Sequence, residues 1–297
     1  MLPDLDSLAL FVRAAELRSL TKAADASHIC LAAASRRITL LEHRFKAALL
    51  ERSPRGVEPT AAGTALLAHA RTLLLHVNQM QADMRDHACG RRGALRLLAN
   101  TSAMTQFLPS DLARFGQRHP DVRVIVQERW SDEIVKAVHA AEADLGIVIE
   151  GQRMDGLEVL PYRCDRLAVV LPAAHPLADA QPLRFADVLE YDIVALEGGS
   201  SMMRLLAAQA AVTDRTLNLR VQVRSFEAVC RMVQAGIGIG LLPQQAAAEF
   251  AHGMGLAVRP LPEPWAERRM LICARRERAG NGALEALLRH LAADAPA

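Results

Sequence analysis

At 297 residues, 51% hydrophobic and with a formal net charge of +2, the chain has material for two or three compact units, and its overall charge points to no class of partner. No apolar run reaches the length of a membrane span, and the start M-L-P-D-L-D has neither a basic n-region nor an apolar h-region, so a cytoplasmic protein without a membrane partner is expected. The five cysteines, Cys30, Cys89, Cys164, Cys230 and Cys273, stand singly, with no C-x-x-C or Cys/His cluster, which argues against a disulfide framework, a metal site or a cofactor.

The first predicted element is an amphipathic helix over 5–17, with Leu5, Leu8, Phe11, Val12 and Ala15 as its apolar stripe. A helix pair follows. Thr21 is read as the cap of its first member, and Ala23, Ala24 and Ala26 are small enough for a second helix to cross closely. The corner falls near His28-Ile29-Cys30. The second helix starts at about Ala32 and places Ile38, Leu41 and Phe45 on one face at spacings of three and four. Its opposite face presents Ala32, Ala33, Ser35, Arg36 and Arg37. Small residues permit close approach to base edges and arginines reach phosphate or guanine, which is what a helix in a DNA major groove needs.

The distribution of charge supports this reading. Between His28 and Arg55 stand Arg36, Arg37, Arg44, Lys46, Arg52 and Arg55 against Glu42 and Glu51, six basic against two acidic residues, a local +4. Pro54 and Gly56 mark a turn between two short extended pieces, with Arg52 and Arg55 at its edge. Three helices and a basic hairpin make a winged helix-turn-helix, whose wing arginines would lie against the sugar-phosphate backbone or the minor groove.

Thr60 then caps a long helix over 61–89. Leu66, Leu73, Val77, Met80 and Met84 recur along it as a coiled-coil-like seam, read as a dimerising linker. Residues 90–93, Gly-Arg-Arg-Gly, form a hinge. At this point residues 4–63 resemble the DNA-binding domain of LysR-type transcriptional regulators. The resemblance is carried by Leu8, Phe11, Val12, Ser19, Thr21, Ala23-Ala24, Ser35-Arg36, Ile38, Leu41-Glu42, Leu50-Glu51-Arg52 and Thr60-Ala61-Ala62-Gly63. Where the family often has Ser-Gln at the start of the recognition helix, this chain has Cys30-Leu31, so no glutamine is present to read adenine and no base preference carries over.

From Ala94 the pattern alternates: strand 94–99, helix 104–118, strand 122–127, helix 131–141, strand 144–149. A second run begins near Leu167, with strands at 193–196, 219–223 and 237–242 and helices after Ser201 and from Phe226. A strand at 269–274 and a helix at 283–292 close the chain. Such alternation implies a mostly parallel sheet with helices on its faces.

A-D-L-G-I-V-I, A-V-V-L-P-A-A-H-P-L and M-V-Q-A-G-I-G-I-G-L-L-P make this part similar to the effector-binding domain of the same family, a fold resembling type 2 periplasmic binding proteins. The expected organisation is an α+β multidomain chain: winged helix-turn-helix 1–60, linker helix 61–89, hinge 90–93 and a two-lobed α/β effector domain 94–297. Within that domain, lobe 1 is 94–164 with 268–297 and lobe 2 is 165–267, joined by crossings near Cys164 and Pro262.

A cleft between two such lobes takes its polar groups from strand ends and helix starts. The candidates are Thr101, Ser102 and Ser131 in lobe 1, and Ser200 and Phe226 in lobe 2, with Gly198 to Ser201 forming one of the turns. Gly236, Gly238 and Gly240 lie at the start of a strand and lack the G-x-G-x-x-G spacing, so a dinucleotide loop is rejected.

No Ser/His/Asp or Cys/His motif argues for catalysis. The resemblance implies a homodimer or homotetramer that binds double-stranded DNA and a small anionic metabolite, with RNA polymerase as a candidate partner. Two competing readings are an α/β enzyme or binding protein whose N-terminal helices only oligomerise, and a redox sensor.

Overall fold

The computed structural model describes residues 3–53, 56–88, 94–197, 199–276 and 282–293. It divides into two compact units, Met1–Gly90 and Arg91–Ala297. The expected hinge 90–93 and the residues Cys89, Arg55 and Gly198 lie outside the described residues.

The first unit begins with α1 (Leu5–Leu17), capped by Asp4, whose carboxylate accepts the Ser7 amide at 2.8 Å. Leu8, Phe11, Val12 and Ala15 are buried as the periodicity requires, but Leu5 is largely exposed at the helix start. Next come α2 (Leu20–Ala26) and α3 (Leu31–Phe45). The cap of α2 is Ser19, whose Oγ accepts from Lys22 N at 3.3 Å; Thr21 sits inside the first turn, exposed, so the expected Thr21 cap is corrected by two residues. The corner between the helices passes through His28 at φ +54°, a left-handed position that histidine tolerates better than β-branched residues. Ala23 and Ala24 are sealed at the crossing, where larger side chains would separate the helices.

On α3 the buried stripe is Ala34, Ile38 and Leu41. Phe45 is not part of it: it is exposed at the last helical position, and Leu49 and Leu50 supply the core there instead. The strands β1 (Leu50–Ser53) and β2 (Gly56–Pro59) pair antiparallel as the expected wing. Gly56 has φ +124°, and a Cβ there would lie 2.2 Å from the Arg18 carbonyl oxygen, so only glycine lets the wing dock on the loop after α1. Thr60 caps α4 (Ala61–Ala88), its Oγ1 accepting from Gly63 N at 2.9 Å. Of the seam along α4, Leu66 packs on the unit's core, whereas Leu73, Met80 and Met84 are exposed.

The second unit is built on β3 (Ala94–Ala99), β4 (Arg123–Glu128), β5 (Leu145–Ile149), β6 (Leu157–Pro172), β7 (Ile193–Leu196), β8 (Leu219–Val223), β9 (Ile239–Pro243), β10 (Leu256–Pro260) and β11 (Glu267–Arg275). The order is β4-β3-β5-β11-β6-β9-β7-β8, with β10 beside β6. Around β3 and around β7 the neighbours are parallel, but β6 and β11 run antiparallel to every strand they meet. The sheet is therefore mixed, not mostly parallel, because two strands must cross back between the lobes.

The first crossing lies inside β6, which begins at Leu157, ten residues before the expected start near Leu167. A bulge opposite Met270 and Leu271 drops Tyr162 out of register and turns it into the lobe 1 core, where its hydroxyl donates to Asp111 at 2.6 Å.

The helices are α5 (Thr101–Gln106), α6 (Leu108–Arg118), α7 (Ser131–His139), α8 (Phe185–Val188), α9 (Ser201–Val212), α10 (Phe226–Gln234), α11 (Gln244–Ala251) and α12 (Gly282–Ala292). The single helix expected over 104–118 is two: Asn100 caps α5, and the chain breaks at Phe107 before Pro109 opens α6. Lobe 1 closes on Leu97, Ile147, Phe115, Ile272 and Leu287, and lobe 2 on Val169, Leu171, Ile193, Leu206 and Val229. The rejected glycine run has a packing role: a Cβ on Gly240 would lie 2.6 Å from Val229 Cγ1, so glycine lets α10 sit close to β9.

Candidate functional site

In the first unit the free face of α3 carries Ala32 and Arg36 exposed, with Ala33, Ser35 and Arg37 half-buried. No side chain caps this helix: Cys30 occupies the cap position without a hydrogen bond, and no acidic residue stands in the first turn. The positive end of its dipole is therefore unopposed. Arg37 lies 3.8 Å from Asp6, while Arg36 has no ion pair among the described residues. Thr21 is exposed on α2. Arg52 lies on the wing strand β1, and Arg55 lies outside the described residues. The wing is tied to α3 by Glu42, whose Oε1 accepts from Leu49 N at 2.9 Å and Leu50 N at 3.2 Å.

In the second unit, Thr101, Ser102, Ser131, Ser200 and Phe226 line one recess between the lobes, together with Asn100, Trp130, Leu196, Ser201, Met202 and Arg268. The starts of α5, α7, α9 and α10 thus meet there, two from each lobe. Four of the recess hydroxyls have a local partner. Thr101 Oγ1 donates to Glu128 Oε1 at 2.5 Å; Ser131 Oγ accepts from Ile149 N at 3.2 Å and Ser200 Oγ from Met203 N at 3.1 Å. Ser102 Oγ accepts from Arg268 Nη2 at 3.0 Å. The serines that accept keep their own protons for a second bond.

Trp130 closes the recess from lobe 1. A Cβ on Gly199 would lie 3.0 Å from the indole Nε1, so the two lobes approach closely here at a residue without a side chain. Outside Trp130 the cleft widens to about 430 Å³, lined by Glu128, Arg129, Trp130, Glu133, Glu197 and Arg224. Arg224 Nε donates to Glu197 Oε1 at 2.9 Å, and this carboxylate holds the guanidinium above its ordinary pKa.

Sequence reasoning missed Trp130 and Arg268. Trp130 follows an edge strand and was open to the reading that assigned Ser131. Arg268 is only 4% exposed, and its site depends on Asp165, 103 residues away in sequence, whose carboxylate takes Arg268 Nε at 2.7 Å. The two are register partners on β11 and β6 at the crossing between the lobes. No local pattern signals such a pair.

The described cysteines are free thiols. Cys30 is exposed, Cys164 is half-buried, and burial pushes the Cys230 thiol up to about 11 and the Cys273 thiol up to about 12. Among the described residues no group of His, Cys, Asp or Glu is placed to hold a metal, and no helix is long and apolar enough to cross a membrane.

Residues 5–64 match the family model described as bacterial regulatory helix-turn-helix protein, lysR family, and residues 89–296 match that of the LysR substrate binding domain. The chain is 28% identical over 274 residues to the uncharacterized HTH-type transcriptional regulator YbhD of Escherichia coli K12, covering 92% of this chain and 86% of that one. It is 27% identical over 248 residues to a probable RuBisCO transcriptional regulator of Synechocystis sp. PCC 6803, covering 82% and 72%. Among solved structures, full-length CbnR in complex with its target DNA aligns with a TM-score of 0.78 at 21% identity, covering 97% of this chain and 98% of that one, a likeness of fold.

Proposed function

The chain belongs to the LysR family of DNA-binding transcriptional regulators, proteins controlled by a small-molecule effector and not enzymes, and from that premise we propose how its residues divide the work. Residues 1–60 form the DNA-binding domain, 61–89 the dimerising linker, 90–93 a hinge and 94–297 the effector domain. A homodimer, or a dimer of dimers, sets two α3 helices in successive major grooves of an imperfect palindrome. Arg36, Arg37, Arg52 and Arg55 supply phosphate affinity; Ala32, Ala33 and Ser35 approach the bases; Thr21 meets the backbone from α2. The exposed residues of α4, Leu73, Met80 and Met84, are the helix-pairing surface of the dimer.

The effector is an anionic metabolite held between the lobes by groups that include Thr101, Ser102, Ser131, Ser200 and Phe226. It changes the angle between the lobes, and this passes through the linker to DNA bending and to RNA polymerase in the cytoplasm. The observation that carries the effector half is the meeting of four helix starts, two from each lobe, at one recess. α9 contributes most: it is 12 residues long with no acidic side chain in its first turn, and Ser200 Oγ satisfies only the Met203 amide.

Footprinting of genomic fragments selected by the purified protein, repeated at several salt concentrations, tests the DNA half. Protection of two half-sites about one helical turn apart, weakening steeply with salt, is expected. Weak binding that ignores sequence, with or without metabolite extract, would refute it.

A further inference from the structure

Resting on the reading of the cleft as the effector site, we propose that the effector is a zwitterionic amino carboxylate, its carboxylate in the recess against Arg268 and its ammonium at the acidic mouth. The first half comes from Arg268. Its Nε and Nη2 are engaged by Asp165 and Ser102, whereas Nη1 meets no acceptor among the described residues, and the residue lines the recess. A buried guanidinium presenting unmet donors to a cavity calls for an acceptor from outside.

Asp165 cancels the charge of Arg268, so the recess reads an oxyanion through directed donors rather than by excess positive charge. Its volume of about 20 Å³ admits roughly one water-sized group. One carboxylate oxygen fits such a space, with the rest of the group toward the mouth.

The second half comes from the mouth. Glu197 and Arg224 neutralise each other, which leaves Glu128 and Glu133 against Arg129, a balance of −1. Glu133 has no partner among the described residues. A second anionic group on the ligand would face this balance unfavourably, whereas an ammonium group would be matched by it. Trp130 lines both the recess and the mouth, so a ligand reaching from one to the other passes its indole, a surface that favours a cation over its face.

The test is thermal shift of the full-length protein against the twenty amino acids, their deaminated analogues, succinate and glutarate, followed by calorimetry on whatever binds. At least one amino acid is expected to bind, its deaminated analogue at least tenfold more weakly. Glu133→Gln, an exposed change that leaves the fold intact, is expected to weaken that amino acid about tenfold and leave the analogue unchanged. Ser102→Ala is expected to weaken both.

Binding of no amino acid, equal binding of amino acid and analogue, or preference for a dicarboxylate overturns the zwitterion. If the preferred acid is still weakened by Ser102→Ala, the cleft reading stands without it. If ligand binding ignores both Ser102→Ala and Trp130→Ala, the cleft itself is the wrong site and both readings fall.

Discussion

Gly63 separates intrinsic propensity from packing by sign. It lies in the first turn of α4, where replacing glycine by alanine in an otherwise unconstrained helix stabilises by about 1 kcal/mol. Here an alanine Cβ would stand 2.0 Å from the Leu49 carbonyl oxygen and 3.0 Å from its carbon, both backbone atoms. Relief requires Leu49 to retreat by roughly an ångström, the kind of overpacking that costs about 1–3 kcal/mol. Leu49 is poorly free to move: its side chain is buried, its oxygen accepts from Thr60 N at 3.1 Å, and its amide donates to Glu42.

Losing the Thr60 bond adds about 1 kcal/mol. With the propensity gain subtracted, Gly63→Ala is expected to destabilise the base of the wing by about 1–3 kcal/mol. Hydrogen exchange of the Leu49 and Leu50 amides in the full-length protein measures this locally, as suits a chain of two units that need not unfold together. A 2 kcal/mol loss raises their exchange by about 30-fold, and DNA affinity should fall with it because Arg52 is carried on the disturbed strand β1. Slower exchange, or none of the change, would mean that the close approach at Gly63 is not a constraint.

The two arginines of α3 should differ. Arg36→Ala is expected to reduce the slope of log affinity against log salt by about 0.9, the release of one phosphate contact, while Arg37→Ala, already engaged by Asp6, reduces it less; identical slopes for both variants and the parent would remove α3 from the groove. At the start of α2, Ser19→Ala should cost about 1 kcal/mol and Thr21→Ala under about 0.5, so a larger loss at Thr21 would restore it as the cap. For the thiols, Cys30 should react promptly with a disulfide reagent at pH 8 and Cys273 should not react until the fold opens. The sign of the linkage follows: a thiol held neutral by burial supports the fold below the ordinary thiol range, and that support is lost as pH rises through 9 toward about 12. Rapid native-state modification of Cys273 would contradict its placement.

What the sequence displays is what depends on near neighbours. The apolar spacing of α1, the alternation of β8 and the short apolar runs of β3 and β7 mark their elements to within a residue or two. Pattern failed where tertiary contact decides. Residues 157–166, with Pro161 and four charged side chains, do not read as a strand, yet they form one because β11 pairs with them and the bulge takes up Tyr162. Phe45 fits the period of α3 but falls where the helix ends and other residues fill the core. Four of the five cleft candidates were legible because hydroxyls mark helix starts, and Phe226 because it opens a helix after the strand 219–223; that all of them open on one recess is a property of the sheet order, which brings the ends of strands from both lobes together.

The position of Arg268 gives the cleft a physical link to the crossing strands. Its guanidinium is held by Asp165 on β6, itself lies on β11, and reaches Ser102 on α5; Asp165 also accepts from Gln106 Nε2 at 3.1 Å at the other end of that helix. The two strands that carry the pair are the ones that pass between the lobes. A ligand that opened or closed the cleft would act on strands beside a buried ion pair, and such a pair tolerates little distortion because separated charges in a dry site are strongly unfavourable. An anion seated on Nη1 would bias the guanidinium toward one arrangement of these bonds. On the proposed reading, the lobe angle would follow which of a few hydrogen-bonded arrangements the bound anion favours, the condition under which a small ligand produces a switch.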